Sequence, residues 1–135
     1  MKVRDLMTRP VVTLDEHASI GDAIGAMTGN QVRHLPIVRG KKPIAVISDR
    51  HLRSVEGALA AEIGSARSGD GRYEAAVRSI IDGPPVTVVA GASVRDAIDA
   101  MLDARVSSVL VVDAAGDLVG IVTTIDVLRA ARDLL

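Results

Sequence analysis

The sequence predicts a mixed α/β (α+β) fold in which two β-α-β-β-α repeats pack about a pseudo-two-fold axis, and three observations carry that expectation. The first is an internal repeat. Sliding the chain by 74 residues lays Val3-Arg4-Asp5-Leu6-Met7 on Val77-Arg78-Ser79-Ile80-Ile81, and Ala18-Ser19-Ile20 on Ala92-Ser93-Val94. The second is the alternation, inside each copy, of a capped amphipathic stretch with short β-branched runs, the pattern of helices set between strands. The third is size. With 135 residues, 48% of them hydrophobic, the chain can build one compact core. A lone copy of about 60 residues would bury only about 60% of its unfolded surface, so the two copies are expected to share that core and leave two clefts between them.

Taken in order, each copy opens with a short turn of helix (residues 3–7 and 77–81) and an extended segment running through Thr13 or Thr87. A helix follows. Ser19 and Ser93 are placed as N-caps, with Asp22 and Asp96 three residues on, and Ile20, Ala23, Ile24 and Met27 form its apolar stripe. Two strand-sized runs come next, Leu35–Val38 and Ile44–Ile47 in the first copy, Val109–Val112 and Leu118–Val122 in the second, with Gly40 and Gly116 in the turns. One extra residue near Ala115 moves the offset to 75, and Ser48 then lies on Thr123 and His51 on Asp126. A closing helix begins at these positions and is expected to carry Leu52, or Val127 and Leu128, into the core. The resulting organisation is repeat 1 over residues 1–58, a linker over 59–73 and repeat 2 over 74–135. The linker contains Gly64, Ser65, Ser68, Gly69 and Gly71, small residues suited to an exposed connection.

Composition excludes several kinds of function. Lys+Arg 16 against Asp+Glu 17 gives a net charge of −1, so no global field for nucleic acid or an anionic membrane exists. Tyr73 is the single aromatic residue, which leaves no stacking platform for single strands. The absence of cysteine removes disulfides, thiolate catalysis and cysteine-liganded zinc, and the three histidines are not set with carboxylates at metal-ligand spacing. No apolar run approaches the roughly 18 residues that span a bilayer, and the first residues carry an acid without an apolar stretch, so a cytoplasmic setting is expected. No Gly-x-Gly-x-x-Gly, phosphate loop, His-Glu-x-x-His or Gly-x-Ser-x-Gly occurs, and no serine has an identifiable base; an enzyme is not expected. Thr123-x-x-Asp126 by itself is an ordinary helix-start box. Gly21, Gly25 and Gly29, every fourth residue of the first long helix, mark either a glycine-tolerant surface or a close backbone approach.

Three segments carry a family resemblance: Asp5-Leu6-Met7-Thr8 with Pro10 and Val12-Thr13, Val32-Arg33-His34-Leu35-Pro36-Ile37-Val38, and Leu118-Val119-Gly120-Ile121-Val122-Thr123-Thr124-Ile125-Asp126-Val127-Leu128. Together they resemble the tandem cystathionine-beta-synthase (CBS) domain pair, or Bateman module, over nearly the whole chain. Arg33-His34-Leu35-Pro36 and Ile47-Ser48-Asp49-Arg50 are similar, more loosely, to small stand-alone CBS proteins of the acetoin-utilisation type.

The resemblance implies a regulatory adenosine-ligand sensor with no obligatory cofactor, whose ligand would be AMP, ADP, ATP or S-adenosylmethionine. It implies a first site formed by Thr123 and Asp126, with Ile121 and Ile125 nearby, opposite Thr8, Pro10, Val12, Val32, Arg33 and His34. The Asp126 carboxylate can accept from both hydroxyls of a ribose, apolar Val12, Val32 and Ile121 can sandwich a purine, and Arg33 can fork onto phosphate, with His34 a pH-dependent donor. A second site, formed by Ser48, Arg50 and His51 with Val86, Val106, Ser107 and Ser108, departs from the pattern, because His51 stands where the aspartate belongs. It is expected to be weaker or empty; the opposing reading has Arg50 and His51 taking a more phosphorylated ligand. CBS pairs also resemble homodimers joined by their helical faces, so a homodimer, with an unidentified protein partner receiving the signal, is the expectation. The alternative is a ligand-free dimerisation and protein-interaction module.

Overall fold

A computed structural model describes residues 1–53, 75–81 and 83–135. The expected linker, 59–73, lies outside these residues, as do the adjoining residues 54–58 and 74. The elements follow as α1 (Val3–Leu6), β1 (Leu14–Asp15), α2 (Ile20–Asn30), β2 (His34–Arg39), β3 (Lys42–Ser48), a 3-10 turn (Val77–Ile80), β4 (Thr87–Val89), α3 (Val94–Ala104), β5 (Ser108–Val112), β6 (Leu118–Thr123) and α4 (Thr124–Leu134). Residues 49–53 are helical as well. The fold class is the expected mixed α+β, with two three-stranded sheets ordered β1-β2-β3 and β4-β5-β6.

Local chemistry accounts for most of these boundaries. Ser19 caps α2 by accepting from the Asp22 N–H at 3.0 Å, and the Asp22 carboxylate accepts from the Ser19 N–H at 3.0 Å, a complete capping box. In α3 the Ser93 hydroxyl accepts from the Asp96 N–H at 3.0 Å. Gly40 at φ +64° and Gly116 at φ +86° take the left-handed conformation that the turns after β2 and β5 require. The opening strands begin later than the sequence reading placed them, at Leu14 and Thr87. Proline explains the delay: Pro84 and Pro85 offer no N–H, Val86 enters only through its carbonyl, which accepts from the Leu110 N–H at 2.9 Å, and the ladder with β5 opens at Thr87. After Pro10, likewise, pairing with β2 starts at Leu14↔Ile37.

The chain forms two compact units whose membership crosses the repeat boundary. The first unit comprises Met1–Val11, Lys41–Pro43 and Pro84–Leu135, the second Val12–Gly40 and the described residues within Ile44–Gly83. Each opening segment is therefore exchanged. In the first unit Val3 is fully buried among Ala97, Met101, Val109, Val111 and Val122. In the second, Val77 is fully buried among Ile20, Ala23, Met27, Leu35, Ile37, Ala45, Ile47 and Leu52. Two pairs of backbone bonds repeat the exchange: Val3 N–H donates to the Ala92 carbonyl and Val77 N–H to that of Ala18, both at 2.8 Å, while Val94 N–H donates to the Met1 carbonyl and Ile20 N–H to that of Ala75 at 3.1 and 2.9 Å.

One side chain contradicts the expected core. Leu52 is buried, and Val127 packs against the core of the first unit, but Leu128 is 62% exposed. Neighbouring helical positions diverge by about 100°, so α4 can rest on the sheet through Val127 or through Leu128 and not both. No residue of α4 is buried.

Candidate ligand-binding site

Within the first unit, the end of β6, the start of α4 and the segment after α1 converge on Asp126. Thr123 ends β6 in extended conformation and is the N-cap of α4. Its hydroxyl accepts from the Asp126 N–H at 3.4 Å and donates to Asp126 Oδ2 at 3.2 Å, while its own N–H donates to Oδ2 at 2.9 Å. This box fixes the carboxylate at the helix start, where free N–H groups and the helix dipole favour negative charge. Thr8 is brought alongside by a two-way backbone bridge: its N–H donates to the Ile121 carbonyl at 2.8 Å and its carbonyl accepts from the Ile121 N–H at 3.1 Å. The Thr8 hydroxyl then donates to Asp126 Oδ1 at 3.3 Å.

A glycine permits this approach. Gly120 is buried on β6 opposite Val111, and a Cβ there would lie 2.9 Å from Met7 Cγ and 3.2 Å from Met7 Cβ. Met7 lies over the space that a side chain would fill, which lets Thr8 reach the sheet edge. Thr8, Ile121, Thr123 and Asp126 are thus together, with Ile121 buried and Ile125 51% exposed on the first turn of α4. Pro10, exposed, follows a cis Arg9–Pro10 bond in the same unit. Asp126 Oδ2 is taken up by the helix start; Oδ1 meets the single Thr8 hydroxyl among the described residues and keeps acceptor capacity.

Val12, Val32, Arg33 and His34 belong to the second unit. Val12 and Val32 are partly buried against its core, so their apolar surface is already part of the packing. Arg33 is exposed, and its carbonyl accepts from the Asp49 N–H at 2.9 Å, tying the entry of β2 to helical residues 49–53. Burial pushes the His34 imidazole below its ordinary 6.5, Arg33 acts in the same direction, and Asp49 opposes them. His34 therefore stands neutral at pH 7.

The counterpart of the Asp126 box also lies in the second unit. The Ser48 N–H donates to His51 Nδ1 at 3.2 Å, the Ser48 hydroxyl lies 3.0 Å from the same nitrogen, and the His51 N–H donates to the Ser48 hydroxyl at 3.4 Å. An imidazole nitrogen thus takes the capping role of the carboxylate, with Nδ1 accepting from the backbone N–H. Arg50 is exposed. The residues expected opposite, Val86, Val106 and Ser107, are in the first unit. Val86 supports its core, the Ser107 carbonyl accepts from the Thr124 N–H at 3.1 Å, and Val106 lines an apolar hollow between α3 and α4.

Sequence reasoning missed Glu16. Its side chain is buried, hydrogen-bonded to Arg39 Nε, and 3.7 Å from both His17 Nε2 and Arg78 Nη1. The hydrogen bond from Arg39 holds the carboxyl below its ordinary 4.5, although burial opposes this. One signal was available: the residue 74 positions on is Ala90, which packs on the other unit's core and so marks the register as inward-facing. Beside Gly25 and Gly29 an added Cβ meets nothing within 4 Å, which favours the glycine-tolerant surface at those two positions.

Against known proteins, a family model of the CBS domain matches residues 3–57 and 77–133. The chain is 30% identical over 139 aligned residues to MJ1404 of Methanocaldococcus jannaschii, a protein of no assigned function; the match takes in 98% of this chain and 32% of that one, so the chain spans about a third of this curated relative. Among solved structures, it is similar to CBSX2 of Arabidopsis thaliana in complex with AMP, at 26% identity and a TM-score of 0.79, covering 98% of this chain and 97% of the other. The acetoin utilization protein AcuB of Vibrio cholerae gives 27% identity and a TM-score of 0.80 over 99% and 92% of the two chains. The CBS domain pair of protein MJ0100, in complex with 5′-methylthioadenosine and S-adenosyl-L-methionine, gives 25% identity and a TM-score of 0.79 over 96% and 98%.

Proposed function

Because the chain belongs to the CBS-domain family, we propose that it is a regulatory, non-catalytic module that binds an adenine nucleotide or related adenosine ligand and passes the signal on through self-association or a protein partner. The observation that carries this reading is the Asp126 carboxylate, fixed at the start of α4 through Oδ2 while Oδ1 retains acceptor capacity beside the Thr8 hydroxyl. Two hydroxyls on adjacent ribose carbons are complementary to such a carboxylate. The solved relatives add support: CBSX2 was crystallised with AMP, and the MJ0100 pair with methylthioadenosine and S-adenosylmethionine, all of which carry that diol. Val12, Val32, Arg33 and His34 are proposed to contribute to binding, Arg33 to any phosphate and neutral His34 as a hydrogen-bonding group rather than a cation. No step of chemistry is assigned to the chain. Among the described residues no helix is long and apolar enough to cross a membrane, and no group of His, Cys, Asp and Glu could hold a metal. The cytoplasm is the proposed setting.

Isothermal calorimetry with AMP, ADP, ATP and S-adenosylmethionine tests the reading. We expect binding of at least one of them near one equivalent per chain, lost in Asp126→Ala. Two equivalent sites would overturn the weaker role given to Ser48, Arg50 and His51, where an imidazole offers one acceptor in place of a carboxylate. A ligand-free interaction module is the second reading, favoured by the exposed apolar face of α3 and α4. No heat with any of the four ligands would select it.

A further inference from the structure

The two units build the same box from different chemistry. Each box joins the end of a strand to the start of a helix, Thr123 with Asp126 in the first unit and Ser48 with His51 in the second. Each is backed by an equivalent backbone bond, from the Thr124 N–H to the Ser107 carbonyl at 3.1 Å and from the Asp49 N–H to the Arg33 carbonyl at 2.9 Å. In the first unit a carboxylate oxygen holds the strand-end N–H at 2.9 Å. In the second, His51 Nδ1 holds the Ser48 N–H at 3.2 Å, with the Ser48 hydroxyl 3.0 Å from the same nitrogen. A ring nitrogen accepts only through an unprotonated lone pair, and in the imidazolium both nitrogens are donors. A second proton on the ring therefore sets a donor against the Ser48 N–H, where the carboxylate of the other box keeps accepting.

The surrounding charges, among the described residues of the second unit, are carried as follows. Residues 49–53 bring Asp49, Arg50 and Arg53, with Asp49 and Arg53 paired at 3.1 Å. The start of β2 brings Arg33 and His34, and burial holds His34 below its ordinary 6.5. Lys42, at the opposite end of β3, is taken up by Asp117 at 2.7 Å. α2 and the 3-10 turn, which share a core with Leu52, bring Asp22 and Arg78, engaged by Ser19 and Glu16.

We propose that the Ser48–His51 box is a proton-operated switch, which fastens the end of β3 to residues 49–53 while the imidazole is neutral and lets go when the ring takes its second proton. Histidine is the side chain that ordinarily changes charge between about pH 5 and pH 8, whereas carboxylates ordinarily keep theirs there. The two boxes thus divide the inputs: the second unit reads proton concentration, and the first does not. Release extends beyond the box, because the Asp49 N–H also ties the start of β2 through the Arg33 carbonyl. The switch needs no ligand, so it stands or falls separately from adenosine binding at Asp126.

Amide hydrogen exchange of the full chain, followed by nuclear magnetic resonance and expressed as protection factors at about pH 8 and about pH 5, tests this alongside the ring signals of the three histidines. Protection of the Ser48 amide should fall about fivefold toward the lower pH, the size of one lost cap. The fall should track the His51 ring, while the Thr123 amide keeps its protection. His51→Asp places the first unit's carboxylate in the second box and should keep Ser48 protected at both values. The comparison of Ser48 with Thr123 in wild type decides the matter even if that variant does not fold. Equal protection of Ser48 at both values overturns the proposal, as does a fall that follows His17 or His34 and persists in His51→Asp.

Discussion

Glu16 is a buried carboxylate placed among two arginines and a histidine, and its effect on stability depends on its charge. Because its folded pKa lies below the ordinary 4.5, it stabilises the protein fully above that value and progressively less as pH falls through the lowered folded value. Urea unfolding of wild type and Glu16→Gln should therefore differ most near pH 7 and converge in acid; a difference independent of pH would contradict the ion-pair account. In the sequence, Glu16 sits in the polar run Asp15-Glu16-His17 and reads as solvated, because its partners Arg39 and Arg78 arrive from later elements. Asp126 was legible for the opposite reason. Its closest partner, Thr123, is local, and a side chain bonding three residues away leaves a spacing in the sequence. Thr8, 118 positions distant, was reached only through the family resemblance.

At the scale of elements, the capped starts of α2, α3 and α4 and the four central strands could be read from spacing and β-branching, since each depends on neighbours in the chain. What spacing did not determine was how each helix sits. Val127 and Leu128 are both apolar, and only the tilt of α4 against its sheet decides which is buried; the exposed one became part of the α3–α4 face. The docking of Met7 and Thr8 on β6 is also an element-scale contact. Gly120→Ala should push Met7 off the strand, cost about 1–3 kcal/mol of stability, and weaken adenosine-ligand binding by moving Thr8 from Asp126. Calorimetry and urea melts on Gly120→Ala, with and without Met7→Ala, check this. The second substitution should recover part of both losses, and wild-type affinity in Gly120→Ala alone would show that Thr8 contributes nothing.

For the molecule as a whole, the internal repeat exposed the duplicated architecture but not which segment completes which core. Val3 and Val77 look like ordinary members of their own copies, and their exchange is a property of tertiary packing to which sequence similarity is blind. Because both are fully buried in equivalent places, Val3→Ala and Val77→Ala should destabilise similarly, each by about 2 kcal/mol from lost burial and the cavity left behind. Chemical denaturation monitored by far-ultraviolet circular dichroism measures this, and a neutral Val77→Ala would show that the 3-10 turn does not seal the second core.

That crossing of segments sets a limit on autonomy. Either copy cut from the chain would lack the strip that finishes its interior, because that strip is supplied by the other copy. The boxes at the two helix starts are not bound by this dependence and differ, with an aspartate in one and a histidine in the other.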